Sequence, residues 1–226
     1  MQGNDSQSDS GFELEIPALE KPPEADNSPE AQVGLLLEAD SLATISTRLT
    51  TAENLLSLLI KNQSFADFMR EVLLSFLKAI KCEAGSILEA DPDKKFLFFR
   101  ASSGQSSDRL SDFVIPWGTG IVGHVAESRR PLLLQDTQKD PRYLRAVSST
   151  VGFEGRNLMA TPVVVRDRVF CVIELFNRVG KPTFDEQDLE LMIQLSEMAG
   201  KAIEARLMIN GARKSGTNSS ESAAAA

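Results

Sequence analysis

The sequence predicts an α+β fold: a central antiparallel sheet with helices on both faces, flanked by long N- and C-terminal helices. Three observations predict it. Two pairs of apolar runs are joined by tight turns, at Asp91-Pro92-Asp93 and at Asp167, and so read as antiparallel hairpins. A glycine-rich turn with Gly118, Gly120 and Gly123 opens a short apolar helix. Near both ends, long stretches carry apolar residues at helical spacing.

Taken in order, residues 1 to 30 are acidic and proline-bearing, with too few apolar groups to offset the entropy of ordering. They read as a disordered tail. The first 40 residues hold ten acids and one base, leaving 22 acids and 23 bases in the other 186. The net charge of −8 therefore belongs to the N-terminus. Within the tail, Phe12, Leu14 and Ile16 alternate with Glu13 and Glu15, the pattern either of a short docking strand or of a plain solvated segment.

Residues 31–62 read as an amphipathic, coiled-coil-like helix. Leu35, Leu42, Leu49 and Leu56 recur every seven residues, and Ile45, Ala52 and Leu59 follow three behind. Such a seam needs cover, from a second copy or from the chain's own domain. Threonines at 44, 47, 50 and 51 lower the helix propensity, so packing must hold it.

The domain proper spans 63–212. Phe65, Phe68, Met69, Val72, Leu73, Phe76 and Leu77 mark a helix, with strands expected at 85–89, 96–101, 113–116 and 131–136, and a helix at 120–128. Runs 158–166 and 168–177 form the second hairpin. In the latter, Val169, Cys171, Ile173 and Leu175 are expected on one face, with Phe170, Val172 and Phe176 on the other. A strand apolar on both faces is central and covered twice. Glu174 interrupts it and calls for a basic partner or a backbone amide. Thr183 and Glu186 have the spacing of a capping box. Leu189, Ile193, Ser196, Gly200, Ile203 and Leu207 continue helically behind them, with Ser196, Ala199 and Gly200 small enough to admit another helix. Residues 213–226 read as a second disordered tail.

The chemistry on offer is sparse. Cys82 and Cys171 are isolated among apolar residues and read as reduced buried thiols. His124 is the single histidine, with no sequence neighbour to orient it as a catalytic base. Zinc-type spacing is absent, so no metal and no cofactor is called for. Gly118-x-Gly120-x-x-Gly123 imitates a dinucleotide fingerprint but lacks the parallel βαβ unit behind it. No basic cluster marks a nucleic-acid surface. Neither a signal peptide nor a membrane span is evident, so a cytoplasmic location is expected.

These residues resemble the GAF domain family. The run from Pro116 to Ala126 is similar to its glycine turn and following helix, Pro131 to Asp136 to its next strand, and Val172 to Arg178 to its central strand, continuing to Phe184 and Asp188. The resemblance covers about residues 64–210. Gly152 to Pro162 is similar to the regulatory GAF domains of cyclic-nucleotide phosphodiesterases and bacterial adenylyl cyclases. Their signature is Asn-Lys, then Phe, three residues, and Asp-Glu. Here Asn177, Arg178, Phe184 and Asp188 match, with Arg for Lys and Leu189 at the final position. The resemblance implies an Arg178–Asp188 ion pair bracing a ligand pocket.

Its implied lining is Arg100, Trp117, Thr119, Asp136, Tyr143, Thr150, Arg156 and Asn157. The implied function is that of a non-enzymatic sensor that binds a small molecule, a cyclic nucleotide among the candidates, and relays its state through dimeric helices. A homodimer and a downstream signalling protein are the partners this reading calls for. One alternative is a ligand-free scaffold for dimerisation and partner binding. A second is an enzyme of the free methionine sulfoxide reductase type, which depends on several cysteines around the same pocket.

Overall fold

A computed structural model describes residues 29–104, 110, 113–145 and 152–224, with side chains described from 41 to 211. The acidic N-terminal motif around Phe12 and the candidate Thr150 lie outside the described residues. The chain falls into two units, residues 1–40 and 41–226. Of the first, Pro29–Asp40 is helical. No helix among the described residues is long and apolar enough to cross a membrane.

Helix α1 runs over Pro29–Ile60, with proline at its first position, where a missing N–H costs nothing. Its threonines are partly compensated: the Thr47 hydroxyl donates to the Ala43 carbonyl (2.9 Å) and Thr51 to Thr47 (2.8 Å). Thr51, Leu55 and Leu58 are buried on the domain. The heptad leucines Leu42, Leu49 and Leu56 are not. Leu42, Ile45, Leu49 and Leu56 are 47–67% exposed, so the seam faces away from its own domain, Leu59 alone packing partly against the core.

Helix α2 (Phe65–Ile80) starts at Ser64, whose hydroxyl accepts the Asp67 N–H and donates to the Asp67 carboxylate at 2.6 Å. Six strands follow the order β3-β2-β1-β6-β5-β4: β1 (Cys82–Asp91), β2 (Phe96–Ser103), β3 (Val114–Pro116), β4 (Leu132–Leu134), β5 (Leu158–Val165) and β6 (Arg168–Arg178). Every pairing is antiparallel. Cys82 opens β1 rather than preceding it.

Two apolar layers sandwich this sheet. On one face lie α2, the end of α1 and the last helix, here α4 (Glu186–Ala224), burying Phe68, Phe76, Ile87, Cys171, Ile173, Leu175, Met192 and Leu195. The short helix α3 (Gly120–Ser128) covers the other face with Ile121, Val122 and Val125 over Leu88, Leu97, Leu158 and Val172.

Bulges correct the simple alternation. A register shift between Val163 and Val164 leaves Phe170 without a cross-strand partner. It moves Val169 into the α3 layer, while Phe170 packs on the α2 side. A second shift between Ile87 and Leu88 makes Arg100 the extra residue of β2.

Helix α4 departs from expectation at three places. Asp185, not Thr183, caps it: the Asp185 carboxylate accepts the Asp188 N–H (2.9 Å) and the Asp188 carboxylate accepts the Asp185 N–H (3.3 Å). The small residues meet the chain's own sheet, not another helix. Ser196 bonds Thr161 at 2.6 Å, and Gly200 lies where a Cβ would come 2.7 Å from the Val164 carbonyl oxygen. The helix also continues through the expected tail to Ala224, because each further residue adds a backbone bond to an already nucleated helix.

Candidate functional site

The α3 face holds the site. Gly118 donates its N–H to the Gly123 carbonyl (3.0 Å), closing the glycine turn, and a side chain at 123 would come 2.5 Å from the Pro116 carbonyl oxygen. This close turn delivers α3 onto the sheet. Beneath it, Phe99, Ile115, Ile121, Val122, Leu144, Leu158 and Phe176 line a cavity of about 60 Å³ that also contains Tyr143 and Glu174.

Glu174 is the one charged residue of that lining. It projects with Val172 and Phe176 from the α3 face of β6 and is 9% exposed. Burial pushes its carboxyl up to about 7, against the counter-effect of the Ser86 hydroxyl, which donates at 2.6 Å. The partner is therefore a hydroxyl, where the sequence called for a base or an amide. β1 supplies it because Ser86 and Glu174 stand directly opposite in the register.

Tyr143 separates this cavity from an outer hollow of about 300 Å³ lined by Gln138, Arg145 and Gly152–Gly155. Arg145 donates to the Gln138 carbonyl at 2.6 Å. Tyr143 lines both hollows, and an apolar chamber with one acid in its wall has the composition of a ligand pocket.

The other sequence candidates lie elsewhere. Arg100 pairs with Glu89 at 2.6 Å and stacks on Phe98 at 5.0 Å. Glu89 stands opposite Cys171 of the α2 layer, so the bulge turns Arg100 away from the chamber. Trp117 is half-buried beside the α3 cluster, its indole N–H without a partner among the described residues, and it lines neither hollow. Thr119 is exposed and precedes α3 without a side-chain cap bond. Asp136 caps the 3-10 turn Thr137–Lys139, accepting the Gln138 N–H at 3.0 Å. Its bond to Lys139 holds the carboxyl below its usual range.

Arg156 and Asn157 belong to a brace at the sheet's end. Arg156 pairs with Glu83 at 2.6 Å. Its N–H donates to Asn177 Oδ1 (2.7 Å), while the Arg178 N–H donates to Asn157 Oδ1 (2.9 Å). Asn177 takes φ +58°, a conformation asparagine tolerates better than most residues, and also donates to Glu83 at 2.8 Å. Next to it, Arg178 Nε donates to Asp188 at 3.0 Å, with Asp188 buried and Arg178 mostly so. Arg178 further donates to the carbonyls of Lys81 and Val179. Strands β1, β5 and β6, the end of α2 and the start of α4 are thus tied together beside the pocket, not inside it.

The remaining reactive groups lie apart. Burial raises the Cys82 thiol to about 12 and the Cys171 thiol further; both pack in the α2 layer, across the sheet from Glu174. Asp140 feels the His124 imidazole, yet its carboxylate is gripped by Arg142 at 2.9 and 2.6 Å, which holds it below its usual range. No group of three metal-ligating side chains occurs among the described residues.

A six-stranded antiparallel sheet, a glycine turn feeding one short helix over an apolar chamber, and a braced terminal helix make up an architecture typical of signalling domains. The chain belongs to the GAF domain family, whose model matches residues 62–204. It is 31% identical over 108 residues to the cone cGMP-specific 3',5'-cyclic phosphodiesterase subunit alpha' of Mus musculus, covering 48% of this chain and 12% of that protein. To the rod subunit alpha of Bos taurus it is 29% identical over 89 residues, 39% of this chain and 10% of that one. The chain thus spans about a tenth of the length of these relatives.

Among solved structures, the GAF domain of a phosphoenolpyruvate-protein phosphotransferase from Coxiella burnetii matches with TM-score 0.62 and 17% identity, covering 74% of this chain and 98% of that one. A free methionine-R-sulfoxide reductase from Neisseria meningitidis matches with TM-score 0.58 and 17% identity, over 72% and 91%. These likenesses speak to the fold.

Proposed function

We propose that this chain is a non-enzymatic sensor that binds a small polar ligand in the α3 chamber and relays its occupancy through paired terminal helices to a downstream signalling protein. One observation carries the reading: Glu174 is buried in an apolar chamber with a single hydroxyl partner, leaving acceptor capacity to spare. Ionised, as it is above about pH 7, a carboxylate so placed selects a ligand edge rich in N–H donors and rejects one that offers a lone pair. Within the cyclic nucleotides, guanine presents such an edge and adenine does not, which agrees with the cGMP-specific relatives. The chamber of about 60 Å³ is far below the ~300 Å³ of a nucleotide-sized pocket, so binding requires Tyr143 and Leu144 to move toward the outer hollow.

The distance of Cys82 and Cys171 from the chamber, and their raised pKa values, favour sensing over reductase chemistry, which needs thiolates at the pocket. The exposed heptad stripe of α1 supports the homodimer. The small volume of the chamber, about 60 Å³, favours the rival scaffold reading.

Isothermal titration of the full chain with cGMP, cAMP and GMP tests the proposal. Saturable binding of cGMP, abolished in a folded Glu174→Leu variant, supports sensing; a dimer that binds none of the three establishes the scaffold.

A further inference from the structure

We infer that Arg206 is a latch that holds residues 41–60 of α1 on the domain, and that this segment leaves the domain as one unit when the latch opens. Arg206 is fully buried on α4. It donates to the carbonyls of Leu59 (3.3 Å), Lys61 (3.1 Å) and Gln63, and its guanidinium lies over the Phe68 ring at 5.7 Å. No carboxylate pairs with it among the described residues, and its Nε–H has no partner there. A buried cation without a counter-ion is held only by what it grips.

What it grips is the last turn of α1, through Leu59, and the connection to α2, through Lys61 and Gln63. Helix α1 carries no basic residue in its last turn; the Gln63 side chain donates to the Leu58 carbonyl at 3.4 Å, while the Leu59 carbonyl and the negative end of the dipole are met from α4 by Arg206. The dependence is mutual: α1 needs the guanidinium to end there, and Arg206 needs those carbonyls to stay buried. Displacing the last turn together with the connection that follows it removes all three acceptors, and the guanidinium keeps little but the Phe68 ring. Closed and open are then two discrete states, with little stable ground between.

The rest of the attachment is weak enough to follow. Beyond the latch, α1 buries Thr51, Leu55 and Leu58. Among the described residues its one charged contact with α4, Arg48 to Glu190 at 4.0 Å, is solvent-accessible, and Arg48 Nε and Gln194 Oε1 are both buried without a partner there. Adhesion therefore concentrates at the latch end. Asp188, tied to β6 by Arg178, stands 18 residues before Arg206 on the same helix, about 27 Å along a rigid axis. A movement of the sheet's end is thereby delivered to the latch.

Native-state hydrogen exchange on the full chain, comparing wild type with Arg206→Met and Arg206→Lys, tests this. The latch predicts that peptides within 41–60 exchange at least ~10-fold faster in Arg206→Met while β5 and β6 keep their wild-type rates. Arg206→Lys, which keeps the charge but loses the fork that spans several carbonyls, should lie between. Unchanged protection at 41–60, or a loss shared evenly by the whole chain, overturns the latch. If Arg206→Met does not fold, Arg206→Lys decides alone by the same criterion: selective loss at 41–60 supports it, and uniform or absent loss overturns it.

Discussion

Ser86 and Glu174 face each other across the β1–β6 ladder, and the serine hydroxyl donates to the glutamate carboxylate at 2.6 Å. This pair places the acid of the chamber in a pH range that matters. Burial raises its folded pKa to about 7, above the ordinary 4.5. Below the ordinary value the group is neutral in both folded and unfolded states and contributes nothing. Between roughly 4.5 and 7 the unfolded chain ionises first, so stability falls as pH rises. Relative to Glu174→Gln, which stays neutral throughout, the wild type should lose roughly 3 kcal/mol between about pH 4.5 and pH 8. Urea unfolding of both proteins across that range checks it, and a difference independent of pH would show that the folded chamber leaves the Glu174 carboxyl at its unfolded value.

Removing the hydroxyl should act with the same sign. Ser86→Ala leaves the carboxylate without its one donor, an effect greater on the charged form than on the neutral one. The loss is expected to be roughly 2 kcal/mol at about pH 8 and about 1 kcal/mol at about pH 5. Equal losses at both pH values would mean that the hydroxyl serves packing rather than the charge.

At the other end of β6, Arg178 and Asp188 make a buried pair at 3.0 Å. Breaking it strands a charge: Arg178→Ala should cost about 3–5 kcal/mol. Lysine can meet Asp188 as a point charge but cannot also span the Lys81 and Val179 carbonyls, so Arg178→Lys should fall between wild type and alanine. Chemical denaturation of the three proteins decides. Equal stability of the lysine and alanine variants would leave the charge itself without effect.

Element order, the buried face of α2 and both hairpins were legible in the sequence because apolar periodicity reports burial directly. The ligand-site list fared differently. Tyr143 lines the chamber, but Arg100, Asp136, Arg156 and Asn157 are engaged in pairs and caps. Polar residues near turns satisfy their own backbone first, and sequence spacing does not show which of them are already spent. A bulge, which turned Arg100 off the pocket, leaves no mark in alternation. Arg206 was missed although the buried series Met192, Leu195, Ala199 and Ile203 runs straight to it; an arginine ending an apolar stripe was the available signal.

The cap of α4 separates two readings of one segment. Asp185 and Asp188 bond each other's N–H groups, and no bond from Thr183 to Glu186 is formed. Asp185→Ala should therefore cost about 1 kcal/mol, and Thr183→Ala only a few tenths. Thermal unfolding of the two variants side by side tests this, and the reverse ranking would move the cap back to Thr183.

The outward stripe of α1 supports a last prediction. Leu42 and Leu49 are 66% and 67% exposed on one domain, at the heptad spacing that packs knobs into holes against a second copy. Domain-contacting residues Leu55 and Leu58 lie on another face of the helix, so charges at 42 and 49 spare the domain. Sedimentation equilibrium should give a dimer for the wild type and a monomer for the double variant Leu42→Glu, Leu49→Glu. Far-UV circular dichroism of that variant should show a folded sheet, with its melting point lowered only by the lost subunit linkage. A wild type that sediments as a monomer, or a double variant that stays dimeric, would remove α1 from the interface and require the terminal helices to signal by another route.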